Sequence, residues 1–104
     1  MKQSDEKDFE QAIDNHIITG SFILNKKYVL DYIFENIHFL DLRIINGSLT
    51  YSLFQKCKFT NVNFESMHLD NCDFKNYTFN NTIFKNCTTE GIVFTKCKSI
   101  PKIM

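Results

Sequence analysis

The chain has 104 residues, and its twelve basic and twelve acidic side chains give a formal net charge of zero. That length suits one small domain, and a hydrophobic content of 43% is ordinary for a folded chain rather than a disordered one. No apolar run approaches the ~20 residues of a membrane span. Zero net charge gives no broad electrostatic reason to bind nucleic acid or a membrane surface. From the charge and the lack of a long apolar run, we expect no nucleic-acid or membrane partner. Because residues 1–10 resemble neither a signal peptide nor a transit peptide, we expect a cytoplasmic protein.

Residues 1–20 are predicted to form a short N-terminal α-helical cap. Residues 4–17 carry five acidic side chains and apolar side chains at helical spacing, namely Phe9, Ala12, Ile13 and Ile17. The sequence at 19–21, which contains a glycine, is expected to end this helix. Residues 22–31 then fit an imperfect first coil of the structure that follows.

From residue 32 to residue 99 the chain repeats every five residues. Between residues 34 and 94 every phenylalanine falls on one five-residue register: Phe34, Phe39, Phe54, Phe59, Phe64, Phe74, Phe79, Phe84 and Phe94. The same register holds Ile44, Leu49 and Leu69, and it is broken at Thr89 and Ser99. A period of five fits neither a helix nor a plain strand.

Each five-residue unit has a large apolar third residue and a small or apolar first residue, while the others are mostly polar. The first and third residues of a short extended segment point inward, and four bends close a square coil of about twenty residues. Asparagine is frequent at the fifth position, and it tolerates the left-handed backbone of a tight bend. The pattern therefore predicts columns of buried phenylalanines in coils about 4.8 Å apart.

The thirteen consecutive units resemble the pentapeptide-repeat family. The resemblance implies an all-β fold, a right-handed quadrilateral β-helix of about 3.5–4 coils over residues 21–104, with regular repeats at 32–99. Some members of the family protect a topoisomerase, DNA gyrase, by mimicking duplex DNA, so the resemblance also suggests this function. Large first-position residues depart from the family pattern and predict a locally distorted coil: Tyr32, Leu42, Met67 and Tyr77.

The two ends of the predicted β-helix differ. A helix at 1–20 would cover the exposed strand edges of the first coil, although this segment is alternatively an arm that binds a partner. The C-terminal end has no comparable cover, and members of the family often dimerise there. We therefore expect a homodimer through residues 92–104, with apolar contacts from Ile92, Ile100, Ile103 and Met104.

The residues that could carry chemistry do not converge. All four cysteines take the inward first position, and Cys57 and Cys97 are two coils apart, which is beyond disulfide reach. Their spacings match no zinc pattern. His38 and His68 are expected on opposite faces, so no nucleophile has a base beside it. We expect no catalytic site, no metal and no cofactor.

Apolar side chains at outward positions are the remaining functional signal. Ile33, Leu53 and Val93 should line up on one face, interrupted by Asp73, and further outward apolar residues on other faces are Leu40, Ile45 and Ile83. Such a surface is covered either by the N-terminal segment or by a protein partner.

The favoured function is a non-enzymatic protein-binding module. It fits a bacterial immunity or resistance factor that neutralises a toxin or shields a target protein. Gyrase protection is the alternative, but residues 32–104 carry eight basic and six acidic side chains. A mimic of DNA needs negative charge along its length, so the charge balance opposes this alternative.

Overall fold

The computed structural model describes residues 17–23 and 33–104, which form nine β-strands and no helix. All strand pairs are parallel, and they build a five-stranded sheet in the order β1-β3-β5-β7-β9 and a four-stranded sheet in the order β2-β4-β6-β8. The strands are β1 (Ile17–Ile23), β2 (Ile33–Glu35), β3 (His38–Ile45), β4 (Leu53–Gln55), β5 (Lys58–Glu65), β6 (Asp73–Lys75), β7 (Thr78–Lys85), β8 (Val93–Thr95) and β9 (Lys102–Ile103).

The register between neighbouring strands is twenty residues over the regular repeats. Phe34 pairs with Phe54, Phe54 with Phe74, and Phe74 with Phe94, while Phe39 pairs with Phe59 in the other sheet. Each of the long strands β3, β5 and β7 spans two consecutive five-residue units. The described residues therefore form an all-strand solenoid of about four coils, as the five-residue period predicts.

The bends between units fall at the fifth residue of each unit. From Asn36 to Lys96 every fifth residue has a positive φ, between 46° and 65° for the twelve non-glycine residues and 73° for Gly91. Seven of those twelve are asparagines, the side chain that adopts this left-handed backbone most readily. The predicted role of asparagine at the corners is confirmed.

The core consists of stacked side chains from successive coils. The ring centroids of Phe34 and Phe54 are 4.6 Å apart and those of Phe54 and Phe74 are 4.5 Å apart, in near-parallel stacks. Phe39 stacks on Phe59 at 4.8 Å with the rings 5° from parallel. These distances match the separation of neighbouring parallel strands, so the backbone register places one ring directly above another.

Two departures from regular stacking appear in the coils of the C-terminal half. The large first-position residue Tyr77 is buried and packs its ring 4.6 Å from that of Phe79, which is tilted 32° from Phe59. Tyr77 thus produces the local distortion that its size predicts. Phe64 and Phe84 share a column, but their rings are perpendicular rather than stacked.

Met67 is accommodated differently, by the glycine one coil below it. The Met67 side chain is buried, and its Sδ lies 3.2 Å from the backbone nitrogen of Gly47. The Gly47 N–H therefore donates to the thioether, which links this first-position residue to the equivalent position of the coil before it.

The expected helix at residues 1–20 is wrong where the structure describes it. Residues 17–20 belong to strand β1, which pairs in parallel with β3, and residues 1–16 and 24–32 lie outside the described residues. Ile18 and Phe22 are buried beneath Phe39 and Ile44, whereas Ile17 is exposed. Alternation along a strand, not helical spacing, decides which of these side chains enter the core.

At the C-terminal end the last coil is one residue short. Ile83 pairs with Lys102 and Phe84 with Ile103, an offset of nineteen residues rather than twenty. Ser99 replaces the phenylalanine of its column, and its hydroxyl bonds to both the backbone nitrogen and the carbonyl of Phe79. The column of Phe39, Phe59 and Phe79 therefore ends in a hydrogen-bonded hydroxyl.

Candidate protein-binding surface

The four-stranded sheet presents an apolar column to the outside, which we call the apolar stripe: Ile33, Leu53 and Val93. The register places these residues side by side on successive strands, with Asp73 between the last two. Ile33 is 64% exposed and Val93 49%, while Leu53 is half-buried. Asp73 forms an ion pair of 3.6 Å with Lys75. The structure thus brings together the three residues that the sequence predicts for this face.

Tyr51 extends this surface and was not among the predicted residues. It lies at the corner just before β4, is 61% exposed and has a φ of 65°. A bulky residue in the left-handed region is uncommon, because its Cβ crowds the backbone. The signal available in the sequence was an aromatic residue at a fifth position where asparagine or another small polar residue is usual.

The other predicted surface residues do not join the stripe. Leu40 and Ile83 lie in the five-stranded sheet and are half-buried. Ile45 was expected to face outward but is only 9% exposed, because strand partners on both sides, Ile23 in β1 and Glu65 in β5, flank it. Ile45 is therefore excluded from the candidate surface.

The cysteines join successive coils. Cys57 donates to the Phe34 carbonyl at 3.3 Å, Cys72 to the Leu49 carbonyl at 3.0 Å, and Cys87 to the Phe64 carbonyl at 3.3 Å. In each case the acceptor is 23 residues earlier, and Thr82 makes the same bond to Phe59. All four cysteines are free thiols, and the role that Cys57, Cys72 and Cys87 share is to donate to a carbonyl of the preceding coil.

Burial makes these thiols poor nucleophiles. Loss of solvent raises the pKa of Cys57 to about 11 and the pKa of Cys72 to about 12, and it also raises the pKa of Cys87. Burial, reinforced by the neighbouring Cys97 thiol, raises the pKa of the Tyr77 hydroxyl, which makes no regular hydrogen bond. These groups stay protonated at neutral pH.

The histidines are separated, as predicted, and each contacts a threonine. His38 Nε2 lies 2.9 Å from Thr60 Oγ1, and His68 Nδ1 lies 3.1 Å from Thr88 Oγ1. Thr88 in turn donates to Asp70 at 2.8 Å. Within 17–23 and 33–104 there is no group of three or more His, Cys, Asp or Glu side chains arranged to hold a metal ion.

The C-terminal end is partly apolar. Ile100, Ile103 and Met104 are exposed, while Ile92 is half-buried beside Phe94, whose ring packs on Phe74 at 5.4 Å. Among the described residues nothing lies over the last coil in the direction of the solenoid axis. These four predicted dimer residues therefore share one end of the molecule.

Comparison with models of protein families gives a match to pentapeptide repeats in eight copies, over residues 48–86 and 57–95. The matched residues include the regular strands β5, β6 and β7, where the register is twenty residues. The chain is a pentapeptide-repeat protein. No curated protein matches this pentapeptide-repeat protein. Its described residues include no helix long and apolar enough to cross a membrane.

Proposed function

We propose that this pentapeptide-repeat protein is a non-enzymatic module that binds another protein through the apolar stripe and Tyr51. The observation that carries the proposal is an exposed apolar column on an otherwise polar wall, held in register by parallel strands. Folds of this family commonly serve as protein-interaction modules. Large apolar side chains and tyrosine are the residues that dominate binding energy at the centre of protein interfaces.

A wall built from paired strands favours this use because its residues lose little conformational freedom when a partner binds. Leu53 projects from an inner strand of the four-stranded sheet, and Ile33 and Val93 project from its two outer strands. The phenylalanine that follows each of them pairs in register with the phenylalanine of the neighbouring strand. Such a surface spends little conformational entropy when a partner covers it. Full burial of one aliphatic side chain contributes about 1.5–3 kcal/mol, so these three partly exposed residues can supply a small but effective contact.

The biological role that we propose is that of a bacterial immunity or resistance factor in the cytoplasm, which neutralises a toxin or shields a target. The free thiols of Cys57, Cys72, Cys87 and Cys97 are consistent with a reducing compartment. Gyrase protection by DNA mimicry is disfavoured because the described residues carry more basic than acidic side chains. A supercoiling assay with purified gyrase tests it directly, and relief of quinolone inhibition would restore this alternative.

Binding through the stripe is tested by affinity capture from a bacterial lysate followed by mass spectrometry. Leu53→Asp and Val93→Asp should each weaken capture of the partner at least tenfold, and Asp is tolerated in this column because Asp73 already occupies it. Asp73→Leu should strengthen capture because it makes the stripe continuous. Leu40→Asp, on the other sheet, is the matched control. Equal capture by all four variants would refute the stripe as the binding surface.

We also propose a homodimer through the C-terminal end. The supporting observation is the set of exposed apolar residues there, which includes Ile100, Ile103 and Met104. Light scattering at micromolar concentration should give twice the monomer mass, and Ile103→Asp should reduce it to the mass of one chain. A monomeric wild-type protein would refute the dimer.

A further inference from the structure

The corner that joins the four-stranded sheet to the five-stranded sheet carries paired lysines, which we call the basic corner groove: Lys56, Lys58, Lys96 and Lys98. Lys56 and Lys96 are corner residues with φ of 56° and 54°. Lys58 begins β5, and Lys98 precedes Ser99, which bonds to the Phe79 backbone one coil below. The four side chains are exposed. Each pair flanks one cysteine that packs in or against the core, so its two lysines stand on either side of the same bend.

The two lysine pairs lie two coils apart along the solenoid axis, a separation of about 10 Å at the spacing of parallel strands. The coil between them contributes Asn76 and Thr78, which are polar and uncharged. At the lower end the groove opens into a cavity of about 310 Å³ whose lining includes Lys56, Lys58 and His38. The groove therefore runs along the axis between polar and basic residues, and Ile17 and Ile37 add apolar lining to the cavity at its lower end.

The four lysines of this groove form no ion pair among the described residues. The two ion pairs of those residues, Arg43 with Glu65 and Lys75 with Asp73, involve none of the four lysines. Half of the eight basic side chains in the described residues lie at this one corner. Asp70 accepts bonds from Thr88 and from the Glu90 backbone on a different wall. In the coil before Lys56 and Lys58, the carboxylate beside this corner is Glu35, which pairs with Gln55 and lies one residue before Asn36.

We propose that the basic corner groove binds an acidic segment of the partner protein, laid along the solenoid axis beside the apolar stripe. The inference rests on the proposed protein-binding function and specifies the chemistry of the partner. Strand β4 places Leu53 of the stripe three residues before Lys56, a separation of about 10 Å in extended chain. One segment with both carboxylate and aliphatic side chains can therefore contact both features.

A protein segment fits this surface better than a nucleic acid does. Phosphates would satisfy the lysines but would leave the aliphatic stripe without an apolar partner. Single-stranded nucleic acids are commonly held by aromatic rings that stack on the bases, whereas the groove and its cavity are lined by lysine, asparagine, threonine, histidine and isoleucine. The mixed character of the surface favours a segment rich in glutamate or aspartate and leucine or isoleucine.

The test uses the full chain and a fluorescein-labelled twelve-residue peptide of alternating Glu and Leu, with a Gln–Leu peptide of the same length for comparison. Fluorescence anisotropy in 20 mM NaCl should show at least fivefold tighter binding of the Glu peptide. In 200 mM NaCl this preference should largely disappear, because salt screens exposed charges. Equal binding of the two peptides at low salt would overturn the proposal.

Two variants of equal charge locate the site. Lys56→Asn with Lys58→Gln removes one lysine pair and keeps an asparagine where the backbone is left-handed, as at Asn36 and Asn76. It should weaken binding of the Glu peptide about three- to tenfold, since each exposed ion pair contributes modestly. Lys85→Gln with Lys102→Gln, on another wall, should change it less than twofold. Equal losses in both variants, or tighter binding of labelled oligo(dT), would overturn the groove assignment.

A third variant separates this proposal from the proposed function. Leu53→Thr changes the stripe without changing charge and should weaken both peptides. If it has no effect while Lys56→Asn with Lys58→Gln weakens the Glu peptide, then the stripe is wrong and the groove stands. If only Leu53→Thr weakens binding, then the groove assignment fails and the stripe stands.

Discussion

Removal of one ring from the middle of the core should be far more costly than removal of its equivalent at the end. Phe54 has no exposed surface and stacks between Phe34 at 4.6 Å and Phe74 at 4.5 Å. Phe54→Ala therefore leaves a cavity with rings above and below it, and the expected loss in the free energy of unfolding is about 3–5 kcal/mol. Small domains have a free energy of unfolding of only about 5–15 kcal/mol, so this one substitution removes a large part of it.

Phe94 supplies the comparison because it belongs to the same column in the last coil. It is half-buried and stacks on only one column neighbour, Phe74, at 5.4 Å. Phe94→Ala should lower the free energy of unfolding by about 1.5–2.5 kcal/mol, half of the loss for a fully buried ring. In a solenoid each repeat is stabilised mainly by its neighbours, so a residue with one neighbouring coil contributes less than a residue with two.

Urea unfolding followed by far-ultraviolet circular dichroism measures both losses. Phe54→Leu is the control, because it keeps most of the apolar volume and should cost about 1–1.5 kcal/mol. It also gives a folded sample if Phe54→Ala does not fold. Equal losses for Phe54→Ala and Phe94→Ala, or a loss below about 1.5 kcal/mol for Phe54→Ala, would refute the stacked-column account.

Three further predictions concern the corners and the thiols. Gly91→Ala should lower the free energy of unfolding by about 1–2 kcal/mol, because φ is +73° and a Cβ there meets the Asn71 amide. Urea unfolding measures this loss, and it should be smaller when Asn71 is also replaced by alanine. Lys56→Val should cost about 1–2 kcal/mol in the same assay, whereas Lys56→Asn should be neutral, since only the β-branched residue resists a φ of 56°. The pKa values of the Cys57 and Cys72 thiols are raised from 9.0 to about 11 and 12, so the unfolded chain loses these protons first. The free energy of unfolding should therefore be constant from about pH 7 to 8.5 and fall above pH 9, and a flat profile up to pH 10.5 would contradict this.

The fold could be predicted from the sequence because one period fixes both the inward and the corner positions. The Phe34 and Phe39 columns and the asparagine corners follow directly from that period. The first described coil could not be predicted in this way. Its pairing with β3 is offset by 21 residues at Ile18↔Phe39 and by 22 residues after the bulge, at Gly20↔Leu42, so the twenty-residue relation on which the pattern depends is absent there. For that reason the sequence predicted a helix over residues that form part of strand β1.

The candidate surface was only partly accessible from sequence. Register alone aligned Ile33, Leu53 and Val93, but the burial of Ile45 depends on strand neighbours that a repeat alignment does not weigh. The basic corner groove was missed because its walls come from the fifth position of one unit and the second position of the next. Its signal was the sequence Lys-Cys-Lys, which occurs at 56–58 and again at 96–98.

The twenty-residue register also governs how this chain can change in length. An insertion of five residues after Asn76 would add one side of the square, so every later side chain would move to the adjacent wall and Val93 would leave the column of Leu53. An insertion of twenty residues would return each later residue to its own wall, one coil further along the solenoid axis. Length variants that keep the present surfaces should therefore differ by whole turns.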